Sequence, residues 1–141
     1  MGDTQACILV VDDEPAVARP TEKVLARSGY KVTVASGGRE AIEKTRSTPF
    51  DAIVSDLAMP DMDGRVLLRE IRGLDLDLPF EFLTGSPDLT SAIEYGAFRY
   101  LIKPVPADEL VDVLKGAVSR RRLAIVRREA GELWEGRGVK I

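Results

Sequence analysis

The chain has 141 residues, 45% of them hydrophobic, which predicts one folded domain with a modest extension and excludes a disordered chain. Its net charge of −3 gives no reason to expect nucleic-acid binding, its single Cys7 excludes an intramolecular disulfide, and its lack of histidine removes Ser-His-Asp, Cys-His and His-based zinc chemistry. No apolar run approaches the ~20 residues of a membrane span and no signal peptide is visible, so a soluble cytoplasmic protein is expected.

Residues 7–11 form a continuous, β-branched apolar run that reads as a buried strand, stopping at Asp12-Asp13-Glu14-Pro15. Acids followed by Pro mark a helix start. The helix is expected from Pro15 to Ser28, closed by Gly29, with Val17, Val24 and Leu25 inward. Pro20 lies inside it, where an interior Pro costs roughly 3 kcal/mol and predicts a kink or a loosened first turn. A second strand is expected over 30–35, with Val32 and Val34 on one side. A helix over 39–47 carries Ala41 and Ile42 inward. The run Ala52-Ile53-Val54 belongs to a third strand over 51–55 that presents Asp56 at its tip, before a loop rich in Pro, Gly and Asp. A helix over 63–72 shows Val66, Leu67 and Ile71 at helical spacing, and an acidic loop over 73–78 follows. The fourth strand is expected over 79–83, ending at Thr84-Gly85-Ser86-Pro87. A short helix over 88–95 leads to Gly96 and to a fifth strand over 98–102, which ends at Lys103-Pro104. A long helix from Ala107 carries Leu110, Val113, Leu114, Ala117 and Val118.

Five alternations of strand and helix predict a parallel sheet covered on both faces. In such sheets ligands bind beyond the carboxyl ends of the strands. Those ends carry Asp12 and Asp13, Asp56, Thr84 and Lys103, so residues far apart in sequence are expected on one rim. Three crowded carboxylates repel one another by several kcal/mol per pair at ~4 Å, unless a cation or proton relieves them. Mg²⁺ is the natural relief. Aspartate can accept phosphate covalently, and Mg²⁺, the Lys103 ammonium and the Thr84 hydroxyl would neutralise the phosphoryl oxygens. Read alone, Asp12-Asp13 are equally helix-start acids favoured by the dipole, and Lys103 a solvated strand end.

The stretches ILVVDDEP (8–15), SDLAMPDMDG (55–64), FLTG (82–85) and GAFRYLIKP (96–104) together resemble the receiver domain of two-component response regulators over residues 6–118. The resemblance implies a CheY-like, flavodoxin-like doubly wound sheet of order 2-1-3-4-5 with five helices, the last one extended. It implies Asp56 as phosphoacceptor. Asp13 and Asp12 would hold Mg²⁺, the latter through water, with the Ala58 carbonyl as a further ligand. Thr84 and Lys103 would bind the phosphoryl group, Tyr100 would be the switch aromatic, and the Lys103-Pro104 peptide would be cis. A sensor histidine kinase or phosphotransfer protein would be the donor. The chain would accept phosphate, and slowly lose it, rather than act as an enzyme on an external substrate. The output face would be the predicted 88–95 helix, the fifth strand and the last helix.

Some residues depart from the family pattern. Glu81 falls inside the fourth strand, where an aliphatic residue is usual, so a basic or hydroxyl partner, or exposure at the strand end, is expected. Pro20 disturbs the helix that docks the kinase in the family. Ala58 and Ser86 occupy positions that tune phosphate lifetime. Asp61 and Asp63 read as loop and cap acids outside the site, and Cys7 as a small buried hydrophobe. Residues 1–118 are thus expected to be the receiver and 119–141 an Arg-rich helical extension, with Gly131 a weak point and Gly136 and Gly138 breaking it. The extension either packs, on a second copy for example, or stays a solvated helix. It is too short for an output domain, which would be a separate domain or protein. Two other readings compete: a degenerate receiver that acts only as an interaction module, and an Asp-nucleophile phosphohydrolase of the haloacid-dehalogenase type. The latter needs Asp-x-Asp after the first strand, where this chain has Asp12-Asp13-Glu14.

Overall fold

The computed structural model describes residues 5–85 and 99–136, with side-chain surroundings at 5–85 and 100–131. The expected helix at 88–95, Ser86 and the first residue of the expected fifth strand lie outside the described residues. The strands are β1 (Cys7–Val11), β2 (Lys31–Ala35), β3 (Ala52–Ser55), β4 (Phe80–Thr84) and β5 (Arg99–Ile102). They form one parallel sheet in the order β2-β1-β3-β4-β5, the flavodoxin-like order expected. The helices described are α1 (Pro15–Arg27), α2 (Gly38–Ser47), α3 (Gly64–Leu74) and α4 (Ala107–Gly136).

The central strands β1 and β3 read as nearly unbroken apolar runs because both faces of the sheet are covered there. Alternate side chains leave opposite faces. Ile8, Val10, Ala52 and Val54 pack with Leu25 of α1 and with Leu110, Leu114 and Val118 of α4. Leu9, Val11 and Ile53 pack on the other side with Ala41 of α2 and with Leu67, Leu68 and Ile71 of α3. Truncating a wholly buried member such as Leu67 to Ala costs about 2–5 kcal/mol.

Several local expectations shift. α1 buries Ala18 and Leu25 and leaves Val17 and Val24 half-buried. α3 buries Leu68 and leaves Val66 half-buried. Helical spacing locates a stripe, and the neighbouring layer decides which edge of it is sealed. α1 is helical across Pro20, which is exposed. Cys7 is half-buried rather than buried. Glu81 is not exposed at a strand end, since none of it reaches solvent. It follows Phe80 and precedes Phe82 on the strand, so it projects from the α1/α4 face, the side on which Leu83 packs. Tyr30 lies within electrostatic reach of it. Burial raises the Tyr30 pKa, Arg122 opposes the rise and Glu81 adds to it.

α4 runs 30 residues and passes Gly131 without interruption. Its arginines grip the rest of the domain. Arg121 forms a bidentate pair with Asp75, Arg128 pairs with Asp77, and Arg122 Nε lies 3.8 Å from Asp51 Oδ1. Leu123 and Val126 on the same helix remain exposed. Among the described residues, no helix is long and apolar enough to cross a membrane.

Burial opposes ionisation of Asp75, but the hydrogen bonds from Arg121 and the Asp77 N–H, together with the charges of Arg121 and Arg128, outweigh it and hold the carboxyl below its ordinary range. A depressed folded pKa means that the contribution is whole above about pH 4 and is lost as pH falls through the folded value. Asp75→Asn is therefore expected to lower stability by about 1 kcal/mol at neutral pH, with the difference from the parent shrinking below about pH 4. Urea titrations at pH 7 and pH 3 check this. Pro20→Ala should raise stability, by up to about 3 kcal/mol, because it restores an N–H inside a helix at an exposed position. The same titration measures it.

Candidate functional site

β1 and β3 are neighbours at the centre of the sheet, with Val11 opposite Ser55. Each strand's hydrogen bonding continues one residue further. The Asp12 N–H donates to Ala35 O (3.1 Å) and the Asp56 N–H to Val11 O (2.9 Å). The sheet itself therefore sets Asp12 and Asp56 side by side. Asp12 is buried, and Asp13 and Asp56 are half-buried. One carboxylate oxygen from each of Asp12, Asp13 and Asp56 lies within 4.8 Å of the others.

The carboxylate oxygens are not equivalent. Asp12 Oδ1 accepts from the Glu14 N–H (2.9 Å), at the start of α1. Asp56 Oδ1 accepts from the Leu57 N–H (2.7 Å). Their Oδ2 atoms face Lys103, whose Nζ lies 3.3 Å from Asp12 Oδ2 and 3.9 Å from Asp56 Oδ2. Lys103 reaches the rim from the end of β5, where its N–H donates to Thr84 O (2.8 Å) and the Lys103-Pro104 peptide is cis. Thr84, at the end of β4, is buried. Tyr100 is half-buried, with its ring centroid 6.0 Å from that of Phe82.

The loop after Asp56 is held close. Gly64 donates to Leu57 O (2.7 Å), and a Cβ at Gly64 would stand 2.6 Å from Asp56 O, so a larger residue would force the loop off the strand end. Leu57 and Met59 are buried anchors, and Ala58 sits exposed between them. Asp63 caps α3 through Arg65 N (2.7 Å), the cap role expected of it. Asp61 reaches back to the start of α2. Sequence reading missed that contact, for which the sole signal was the Gly37-Gly38 pair, an N-cap with no side chain.

Three carboxylates face one ammonium here. The lysine offsets one charge, and the surplus at such spacing remains unfavourable by several kcal/mol at intermediate dielectric. An all-oxygen set with two surplus charges suits a hard divalent cation of the Mg²⁺ type and not a thiolate- or imidazole-seeking metal. Of the residues singled out in the sequence, Asp12, Asp13, Asp56 and Lys103 are brought together. Thr84 stands at the adjoining strand end, Ala58 on the loop, and Tyr100 two residues before Ile102 on β5.

The family model described as the response regulator receiver domain matches residues 8–115. The two-component response regulator ARR11 of Arabidopsis thaliana is 37% identical over 134 residues, which are 92% of this chain and 25% of that protein. The transcriptional regulatory protein TrcR of Mycobacterium tuberculosis is 38% identical over 128 residues, 89% of this chain and 49% of that protein. The chain thus spans between a quarter and a half of these relatives. A receiver domain from Clostridium thermocellum superposes with a TM-score of 0.79 at 35% identity, over 84% of this chain and 98% of that one. A CheY-like receiver from Methanospirillum hungatei does so with 0.81 at 27%, over 86% and 99%. The alternating parallel sheet, the acidic rim and a family match over most of the chain lead to one conclusion: this chain belongs to the response regulator receiver domain family.

Proposed function

We propose that this chain is a phospho-accepting switch in which Asp56 takes a phosphoryl group from a histidine kinase or phosphotransfer protein. The observation that carries the reading is the meeting of Asp12, Asp13 and Asp56 with Lys103 at the carboxyl ends of the central strands. Asp56 Oδ1 is engaged by the Leu57 N–H, so Oδ2, on the Lys103 side, is the nucleophile. Its new O–P bond forms as the donor's N–P bond breaks. A dedicated base is not needed when the donor is a reactive phosphoramidate or acyl phosphate.

Asp12 and Asp13, with Asp56 and the Ala58 carbonyl, would hold Mg²⁺. When bound, the ion supplies charge neutralisation for the phosphoryl oxygens. Lys103, already beside Asp56, would contribute its ammonium to the phosphoryl group, and the Thr84 hydroxyl would contribute a hydrogen bond. Before phosphorylation Lys103 rests on Asp12 and Asp56. Shifting it to the phosphoryl group would pull on the end of β5. Tyr100 lies on that strand, against Phe82 of β4, and would respond to that pull. The consequence is a change at the β5/α4 face and in whatever α4 leads to. Residues 1–118 form the switch, and the Arg-rich remainder of α4 carries its state onward.

Incubation with Mg²⁺ and acetyl phosphate, followed by intact mass measurement, tests this. A single phosphoryl adduct is expected on the parent, and none on Asp56→Ala or after chelation of the metal. Absence of the adduct together with absence of Mg²⁺ binding in a titration would leave an interaction module with a receiver's shape. Lys103→Ala should retain the fold and slow adduct formation by about 10²-fold, the usual loss for one charge-stabilising donor.

A further inference from the structure

The loop from Leu57 to Asp63 leaves the site at Asp56 and returns at Gly64. Its base is closed by the Gly64 N–H on Leu57 O, and Leu57 and Met59 anchor its first half in the core. Its far half is fastened differently. The Asp61 carboxylate spans the gap to α2, Oδ1 accepting from the Gly38 N–H and Oδ2 from the Arg39 N–H, both at 3.1 Å. Helix starts leave backbone N–H groups without intrahelical partners. The N-cap of α2 is Gly37, which has no side chain to satisfy them. A carboxylate at this positive end is favoured by the dipole as well. The Arg39 N–H, with that of Gly38, outweighs the desolvation cost and keeps the Asp61 carboxyl below its ordinary range.

The two glycines make the approach possible. A Cβ on Gly37 would stand 2.7 Å from Asp61 Oδ1, and one on Gly38 would stand 2.7 Å from Met62 Sδ. Gly37-Gly38 and Asp61-Met62 thus form one interlocked joint between α2 and the loop. Ala58 lies on this loop, between its anchored base and the joint.

We propose that Asp61 is a positioning residue for the metal site: its bidentate clasp on α2 fixes the 57–63 loop, and with it the Ala58 carbonyl that the phospho-switch reading assigns as a metal ligand with Asp12, Asp13 and Asp56. The inference rests on the phospho-switch reading above. Asp61 touches neither metal nor phosphate. It removes the freedom of the loop that would otherwise have to be lost on metal binding.

Calorimetric titration with Mg²⁺ on the full chain tests this, using the parent, Asp61→Asn, Asp61→Ala and Glu40→Ala. Asn keeps one acceptor and Ala keeps none, so Mg²⁺ affinity should fall in that order, by at least about threefold for Asp61→Ala. Raising Mg²⁺ should recover most of the rate of acetyl phosphate labelling. Glu40→Ala is the control. It removes a different bond at the start of α2, Glu40 Oε1 to the Ser36 N–H (2.8 Å), and leaves the loop clasp alone. Its Mg²⁺ affinity should match the parent. Unchanged affinity in both Asp61 variants would overturn the proposal and leave Asp61 as a helix cap that affects only thermal stability. Equal weakening in Glu40→Ala would also overturn it, since α2 itself would then be the cause. If Asp61→Ala does not fold, Asp61→Asn decides by the same criterion. A parent that binds no Mg²⁺ defeats the phospho-switch reading before any variant is compared, and this proposal with it.

Discussion

Three carboxylates held within 4.8 Å of one another are the constraint around which this domain is built. Left to itself the chain would separate them, because each like-charge pair at such spacing is unfavourable. The sheet prevents separation. Asp12 and Asp56 are bonded by their own backbone N–H groups to the neighbouring strands, so their positions are as rigid as the strands. Lys103 compensates partly from the edge side, through Oδ2 of both Asp12 and Asp56. The surplus negative charge would be eased by a cation at this rim. If Asp56 is phosphorylated as proposed, the Lys103 ammonium would gain a more strongly charged partner than the carboxylates it now faces.

Such a rim needs a stiff support, and the support is two-sided. Ile8, Val10 and Val54 lock the sheet to α1 and α4, while Leu9, Val11 and Ile53 lock it to α2 and α3. The loops above are tied by polar contacts instead. Asp63 caps α3, Gly64 lets the chain pass against Asp56, and Asp61 reaches α2. Apolar packing fixes the platform, and directed hydrogen bonds set the loop geometry on top of it. That division suits a site whose charge changes: the platform stays put, and the polar contacts can be exchanged.

At the opposite end of the sheet the last helix has its own attachments. Arg121 on Asp75 and Arg128 on Asp77 bind α4 to the segment that feeds β4. The strand that starts there ends at Thr84, beside the rim. Glu81 lies between, fully buried, with Tyr30 in electrostatic reach of both Glu81 and Arg122. Charged groups thus run from the extension helix into the layer beneath β4, in a place where an aliphatic core would ordinarily suffice. The arginines of the extension, which in sequence suggest solubility or a partner, act first on this domain's own acids.

Much of this was legible in the sequence. Unbroken apolar runs at 7–11 and 52–54 read as strands covered on both sides, and the acids and lysine that stop the strands had to share a rim once the strands were parallel. These are local signals: periodicity and strand-end composition are set by residues a few positions apart. Contacts between distant segments were not legible. Arg121 meets Asp75 across 46 positions and Arg128 meets Asp77 across 51, so neither pair leaves a periodic trace. The same holds for Asp61, whose role as the cap of a helix 22 positions earlier depends on how closely two loops approach. It holds again for Glu81, for which the sequence left a partner or exposure at the strand end open and which the packed layers bury completely. The sequence by itself determined the order of elements and the chemistry of the rim, because those follow from hydrophobic pattern and chain direction. Only the tertiary structure decided which charges meet, because that depends on distances through space that the packing of the two helical layers sets.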